Sequence, residues 1–275
     1  MDNSFRKWLK MDEKLSLKGD YKGTLFQRLV AAAYQIAPEK DASTIPLYRD
    51  LWNKIQRQNS FLQHDFEFVP DSGDHYRSLK QLKKSIQQQR DTGTRRAKMF
   101  VYSREPGPEG SPEQQGHPTL TNDENVVLRG VHDAIAHLAG NHPFSARGEY
   151  GAYNRHLKTM CNIDQAKDGK CQAAKVLFTE IVGQTSYYYI YGGFPPQKAV
   201  VLTDFDHYNI GILAKGSHLN EFFQLRNKEL IQRENAEWES FYDSPIGREF
   251  SRQEDVSKFV GLSKIDHDKP IKKVV

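Results

Sequence analysis

Two histidines five residues apart, His132 and His137, stand with Asp133 in the apolar run Val126-Val-Leu-Arg-Gly-Val-His-Asp-Ala-Ile-Ala-His-Leu138. A lone carboxylate, Glu180, stands in a second one, Ala173-Ala-Lys-Val-Leu-Phe-Thr-Glu-Ile-Val-Gly-Gln184. Imidazole nitrogen and carboxylate oxygen are the usual donors to first-row metal ions, and two histidines with one carboxylate form the set that leaves coordination positions open. On a regular helix His132 and His137 point about 140° apart, so one ion takes both only where the helix changes locally. A helix that starts or widens near Gly130, through a π-bulge for example, brings the two rings together. Asp133 and His137, four apart, share a face without help. The competing reading is therefore an Asp–His hydrogen bond that orients a ligand ring, or a plain structural pair.

At about 100° per residue, Ala173, Leu177, Glu180, Gln184, Tyr187 and Tyr191 fall within roughly 60° of one another. Glu180 thus lies in the stripe that faces the core, where an ionised carboxylate is costly unless a cation or several hydrogen bonds answer it. A metal ion is one answer; arginine, lysine or tyrosine hydroxyls are the other. Gln184 joins the candidate site on the same stripe. Tyr187 and Tyr191 offer a stacking surface for an aromatic or base-like substrate, or serve as core with tethered hydroxyls.

Further groups surround these two stretches. Glu149, Tyr153 and His156 are spaced by four and three, on one helix face; they complete a metal site, act as acid and base beside it, or form a buried polar network. Glu149 is the reserve ligand carboxylate should Glu180 not reach. Arg90, Arg95, Arg96 and Lys98 gather around Gly93 and offer a phosphate or nucleic-acid contact, against the plainer reading of a solvated loop. Asp206-His207 is a further ligand pair by type, in a turn composition.

The string His132-Asp133-Ala-Ile-Ala-His137 resembles the H-[D/E]-x-x-G-H iron motif of the pterin-dependent aromatic amino acid hydroxylases. Phe178-Thr179-Glu180-Ile181-Val182-Gly183 resembles the segment that supplies that family's ligand carboxylate, and Tyr191-Gly192-Gly193 the Y-G-A-G after it. Ala136 stands where the motif has glycine, Leu138-Ala-Gly140 lacks its proline, and Glu180 comes one residue early. The resemblance implies His132, His137 and Glu180 as iron ligands; the family's pterin cosubstrate has no recognisable segment here. The same stretches are also similar to uncharacterised phage and bacterial proteins with H-D-x-x-x-H, F-S-x-x-G-E and E-x-x-G-Q.

The elements that must position these groups read as helices. Residues 5–38, Ser43–Phe61, Ser78–Arg90, the His132 helix behind the Thr121/Glu124 capping box, the Glu149 helix, the Glu180 helix and Leu219–Phe241 carry three- and four-residue apolar spacing. His64–Pro70 and Met99–Tyr102 read as short strands. The expected fold is mainly α with a few short strands (α+β), one helical catalytic body. Its parts are a helical scaffold over 1–103, a Pro/Gly-rich loop over 104–120, the metal-site core over 121–215, and a C-terminal helix with a loose tail over 216–275, the helix offering a surface for a second subunit.

With 275 residues the chain can bury a sizeable core, yet only 37% are hydrophobic, so polar helices and loops surround a compact centre. A net charge of +4, from 39 basic and 35 acidic residues, is too balanced to argue for nucleic acid on its own. No run reaches the roughly 18 to 20 apolar residues of a membrane span, and the first residues lack a signal peptide's apolar core, so a cytoplasmic location is expected. Cys161 and Cys171 are near enough in sequence to close a short loop, but in that reducing compartment free thiols are expected.

The leading expectation is a non-haem Fe(II) oxygenase on an aromatic or nucleobase-like small molecule. Its ligands are His132, His137 and Glu180, with Asp133 orienting a ligand and Glu149 or His156 moving protons. A Zn(II) hydrolase on the same histidines, and a non-enzymatic phage-type structural or nucleic-acid-binding protein, are the alternatives.

Overall fold

The computed structural model describes residues 23–71, 73, 75–103, 116–161, 170–221, 244–249 and 252. The first part of the expected 5–38 helix, most of the Pro/Gly-rich loop, the Leu219–Phe241 helix beyond residue 221 and the tail lie outside them. The described chain is mainly helical, with one two-stranded sheet.

The first helix, α1 (Gly23–Ile36), carries Phe26, Leu29, Val30, Ala31, Ala32, Ala33 and Tyr34, all buried, so it is enclosed on nearly every side. That is where an almost uninterrupted apolar helix belongs. Its C-terminal carbonyls find their donor far along the chain: Lys198 Nζ reaches the carbonyl oxygens of Tyr34 at 2.7 Å and Gln35 at 3.0 Å. A buried ammonium is tolerated there because it satisfies acceptors the helix cannot. Next comes α2 (Ile45–Leu62), which starts with proline in its first turn and buries Tyr48, Leu51, Ile55, Gln58 and Leu62 on a single stripe.

A parallel pair follows, β1 (Phe66–Asp71) and β2 (Ala97–Tyr102), in register from Phe66 opposite Ala97 to Asp71 opposite Tyr102. Parallel neighbours need a crossover, and α3 (Leu79–Asp91) supplies it, opened by Ser78, whose hydroxyl accepts from Gln81 N. Much of the Arg90–Lys98 cluster serves this junction. Arg90 donates to Asp65 O at 2.8 Å and to the Arg95 carbonyl, and Arg96 Nε donates to Phe66 O at 3.0 Å. Arg95 and Lys98 remain exposed.

The helices that carry the site stack on this base. α4 (Asn122–His132) opens with the expected capping box: Thr121 Oγ1 accepts from Glu124 N at 3.2 Å and Glu124 Oε2 accepts from Thr121 N at 2.8 Å. It lies across both strands and α2. Gly130 sits inside its regular turns and does not start the widening expected near it. A Cβ there would fall 2.4 Å from Cγ of Phe68, so glycine is what lets β1 press its aromatic ring onto α4. α5 (Ala146–Met160), α6 (Ala173–Phe178) and α7 (Gln184–Tyr191) complete the body, with α7 packed along α1 and α6 along α2.

Cys161 and Cys171 are not free thiols. They form a disulfide between the end of α5 and the start of α6, with Cα atoms 5.9 Å apart and both side chains buried. The short loop that their spacing allows is the one that is closed. Among the described residues no helix is long and apolar enough to cross a membrane.

Candidate metal centre

Beyond His132, α4 continues as a π-helical turn, Asp133–Leu138, marked by the five-residue hydrogen bond from Ala139 N to Ala134 O at 3.0 Å. The wider turn cancels the 140° divergence of a regular helix and brings the rings of His132 and His137 onto one side. Their Nε2 atoms lie 3.1 Å apart. Glu149, in the first turn of α5, adds Oε2 at 3.1 Å from His137 Nε2 and 3.5 Å from His132 Nε2. Among the described residues these three form a group able to hold a metal ion. Three donors about 2.1 Å from one ion and about 90–110° apart as seen from it lie roughly 3.0–3.4 Å from each other, so the spacing fits an ion.

The proton inventory gives the same result. His137 Nδ1–H donates to the carbonyl of His142 at 2.9 Å, which leaves a lone pair on Nε2. The loop that brings this carbonyl in is pressed so tightly on α5 that a Cβ on Gly148 would meet Pro143 O at 1.8 Å. For His132 the chain is longer. Thr159 Oγ1 donates to His156 O at 2.9 Å and so accepts from Gln58 Nε2 at 3.2 Å; that turns Gln58 Oε1 toward His156 Nε2 at 3.0 Å. His156 Nε2 therefore carries the hydrogen, its Nδ1 is an acceptor, and His132 Nδ1 donates to it at 3.3 Å. His132 Nε2 is left bare as well. Two lone pairs and a carboxylate converge on one point, and only a cation or a proton there relieves their repulsion.

Without a metal ion that cation is a proton. Burial disfavours a charged His137, but the Glu149 carboxylate outweighs it and raises the imidazole to about 9. Burial likewise works against the Glu149 charge, and the His137 ring overcomes it, holding the carboxyl at about 2. His156, fully buried and beside two other imidazoles, is pushed well below the ordinary histidine value and stays neutral, as an acceptor must.

The three donors open into a cavity of about 800 Å³, flanked by Arg129, Asp133, Glu180, Gln184, Phe144 and an aromatic rim that includes Tyr102, Tyr188, Tyr189 and Phe194. Glu180 shares this cavity but lies outside the three-donor group. A second π-helical turn, Thr179–Gly183, carries it, and its two oxygens are already taken. Oε1 accepts from the Tyr48 hydroxyl and from His117 Nε2 at 3.0 Å; Oε2 accepts from Gln184 Nε2 at 2.7 Å. His117 is a donor there because its Nδ1 accepts the backbone N–H groups of Thr119 and Leu120 at 3.1 and 2.8 Å. The hydrogen-bonded alternative for Glu180 is what the chain has built.

The remaining candidates fall as follows. Asp133 faces the cavity, but the acceptors that orient the ligand rings are His156 and the His142 carbonyl. His156 does not line the cavity; it touches His132 from behind. Tyr187 packs against Tyr34, ring centroids 5.8 Å apart, and Tyr191 donates to Glu249 at 2.6 Å, so Tyr188 and Tyr189 line the cavity in their place. The second π turn adds a residue to the helix and rotates everything after Gly183, which a constant 100° per residue misses. His207 donates to Leu202 O at 3.0 Å, and Asp206 caps the backbone N–H of Tyr208 and Asn209, a structural turn. Arg129, Tyr48, His117 and Gln58 escaped the sequence reading; Arg129 alone left a local sign, three residues before His132 on one helix face.

The chain matches no protein-family model, no curated protein and no solved structure. The class of protein is therefore defined by the helical body and its three-donor centre alone.

Proposed function

We propose that this chain is a mononuclear non-haem metal enzyme of the oxygenase type, holding Fe(II) on His132, His137 and Glu149 and acting on an aromatic or base-like small molecule. The observation that carries the reading is the convergence of two bare Nε2 atoms and Glu149 Oε2, within 3.1 to 3.5 Å of one another, at the wall of a large aromatic-lined cavity. A ferrous ion bound by three donors on one side keeps positions open to O₂ and substrate, the chemistry such a centre supplies. The residues around it do the rest. The His142 carbonyl and His156 hold both ligand rings in the tautomer that presents Nε2. Phe144, its ring centroid 4.4 Å from that of His137, gives the cavity an apolar wall beside the centre. Asp133, whose carboxyl burial raises above the ordinary range, is placed to hold or release a proton at the cavity wall.

The test is the metal content of full-length protein purified without chelator or metal-affinity resin, by elemental mass spectrometry, with His137→Ala alongside. About one equivalent of iron, lost in the variant, supports the reading. Zinc at that stoichiometry moves the chemistry to hydrolysis on the same donors. Protein that takes up neither added Fe(II) nor added Zn(II) overturns the metal centre.

A further inference from the structure

Arg129 lines the cavity beside the metal donors, with Glu180 and Asp133 near enough to favour its charge but neither in direct contact with its guanidinium. It lies on α4 one turn before His132, and its guanidinium makes a single 3.4 Å hydrogen bond, from Nη1 to the Tyr102 carbonyl, over whose ring it sits at 5.8 Å. Among the described residues no carboxylate oxygen lies within 4.0 Å of it. The obvious partner, Glu180, is occupied by Tyr48, His117 and Gln184. A guanidinium has five N–H donors arranged to grip a planar anion, and leaving most of them unmet in a half-buried position is costly.

The charges of the whole lining point the same way. Asp133, Glu149 and Glu180 face Arg77 and Arg129, so the cavity is neutral when bare, with the proton on His137, and basic by one charge with a divalent ion in place of that proton. A single negative charge on the substrate balances the loaded site. A phosphate monoester, with nearly two, would leave charge facing Asp133 and Glu180. The walls fix the rest of the ligand: Tyr102 stacks on Phe194 with 11° between the planes, and Tyr188 packs on Phe194 at 5.1 Å. Phe194 is 49% exposed, a large apolar ring left at the rim.

Resting on the reading of this cavity as a substrate site, we infer that its substrate is a planar aromatic monocarboxylate, held by its carboxylate on Arg129 with its ring among the aromatic walls. A neutral amide of the same shape loses the charge-assisted pair, which is worth about tenfold in affinity or more.

The experiment is calorimetric titration of full-length protein, zinc-loaded and with its metal content measured, using 1-naphthoate, 1-naphthamide and 1-naphthyl phosphate. Naphthoate is expected to bind about tenfold or more tighter than the amide, and tighter than the phosphate. Arg129→Gln brings naphthoate down to the amide's affinity, leaves amide binding and zinc content unchanged, and Arg129→Lys keeps part of the preference. Equal binding of acid and amide by the wild type, no binding of naphthoate at millimolar concentration, or a full preference surviving in Arg129→Gln, which would put the carboxylate on the metal instead, overturns the inference. Failure to take up zinc sinks the metal centre instead, and the effect of Arg129→Gln on the acid-to-amide ratio still decides the role of Arg129.

Discussion

His156 faces His132 nitrogen to nitrogen, Nδ1 to Nδ1 at 3.3 Å, and gives it an acceptor only because Gln58 holds the hydrogen of His156 on the far side of the ring. The state of a ligand nitrogen is thus set from α2, two hydrogen bonds away. Gln58→Met removes the acceptor that fixes the His156 tautomer, and metal affinity is expected to fall about 10- to 100-fold. Gln58→Glu keeps an acceptor opposite His156 Nε2 and is expected to stay close to the wild type. Competitive metal titration of both variants checks this; equal affinities for Met and Glu would mean that the relay does not set the tautomer.

The two glutamates of the cavity separate cleanly by substitution. Glu149→Gln withdraws an anionic donor and is expected to cost at least a hundredfold in metal affinity, more than an outer hydrogen-bond partner does. Glu180→Gln keeps oxygen toward Tyr48 and His117 and lets Gln184 turn its amide, so metal stoichiometry is expected to hold. Elemental analysis of the two variants after identical dialysis decides the matter. The reverse pattern would return the ligand role to Glu180.

The disulfide gives a third expectation. The chain has only two cysteines, so thiol titration of denatured, unreduced protein is expected to find none, and two after reduction. Cys161→Ser with Cys171→Ser opens a loop spanning a sequence separation of 10, which costs about 3 kcal/mol in the loop-entropy account. A urea midpoint unchanged in the double variant would show that the link adds nothing to stability.

Much of the scaffold is written in local patterns. The Thr121/Glu124 box, the Ser78 start of α3 and the apolar stripe of α2 each depend on residues within a few positions of one another, and each lies where the sequence puts it. The pairing of His132 with His137 was legible for the same reason, since a five-residue spacing in a helical run asks for a π turn. What the sequence hid is carried by distance and by rotation. Glu180 is satisfied by Tyr48 and His117, 132 and 63 residues away, and no local pattern announces them. The second π turn, centred near Glu180, shows no histidine pair to betray it, so the helix face beyond it was drawn one residue out, at Tyr187 and Tyr191 instead of Tyr188 and Tyr189.

His207 sets a pH limit on the fold, independent of the metal centre. Its ring is buried, edge-on to Phe178 at 5.1 Å, and donates to Leu202 O at 3.0 Å. Burial lowers it to about 4, against about 6.5 for an exposed histidine. Between those values the unfolded chain binds a proton that the folded chain does not. The contribution of His207 is therefore complete above about 6.5 and lost as the pH falls toward 4. From pH 7 to pH 5 that loss is about 2 kcal/mol. Carboxylates also begin to titrate near the lower end, so the readout is a difference. The urea stability of wild type and His207→Gln is measured at pH 7, 6 and 5, and the variant, lower throughout for lost packing, is expected to fall less steeply. Parallel slopes would mean that the ring takes up its proton without unfolding the turn around Asp206.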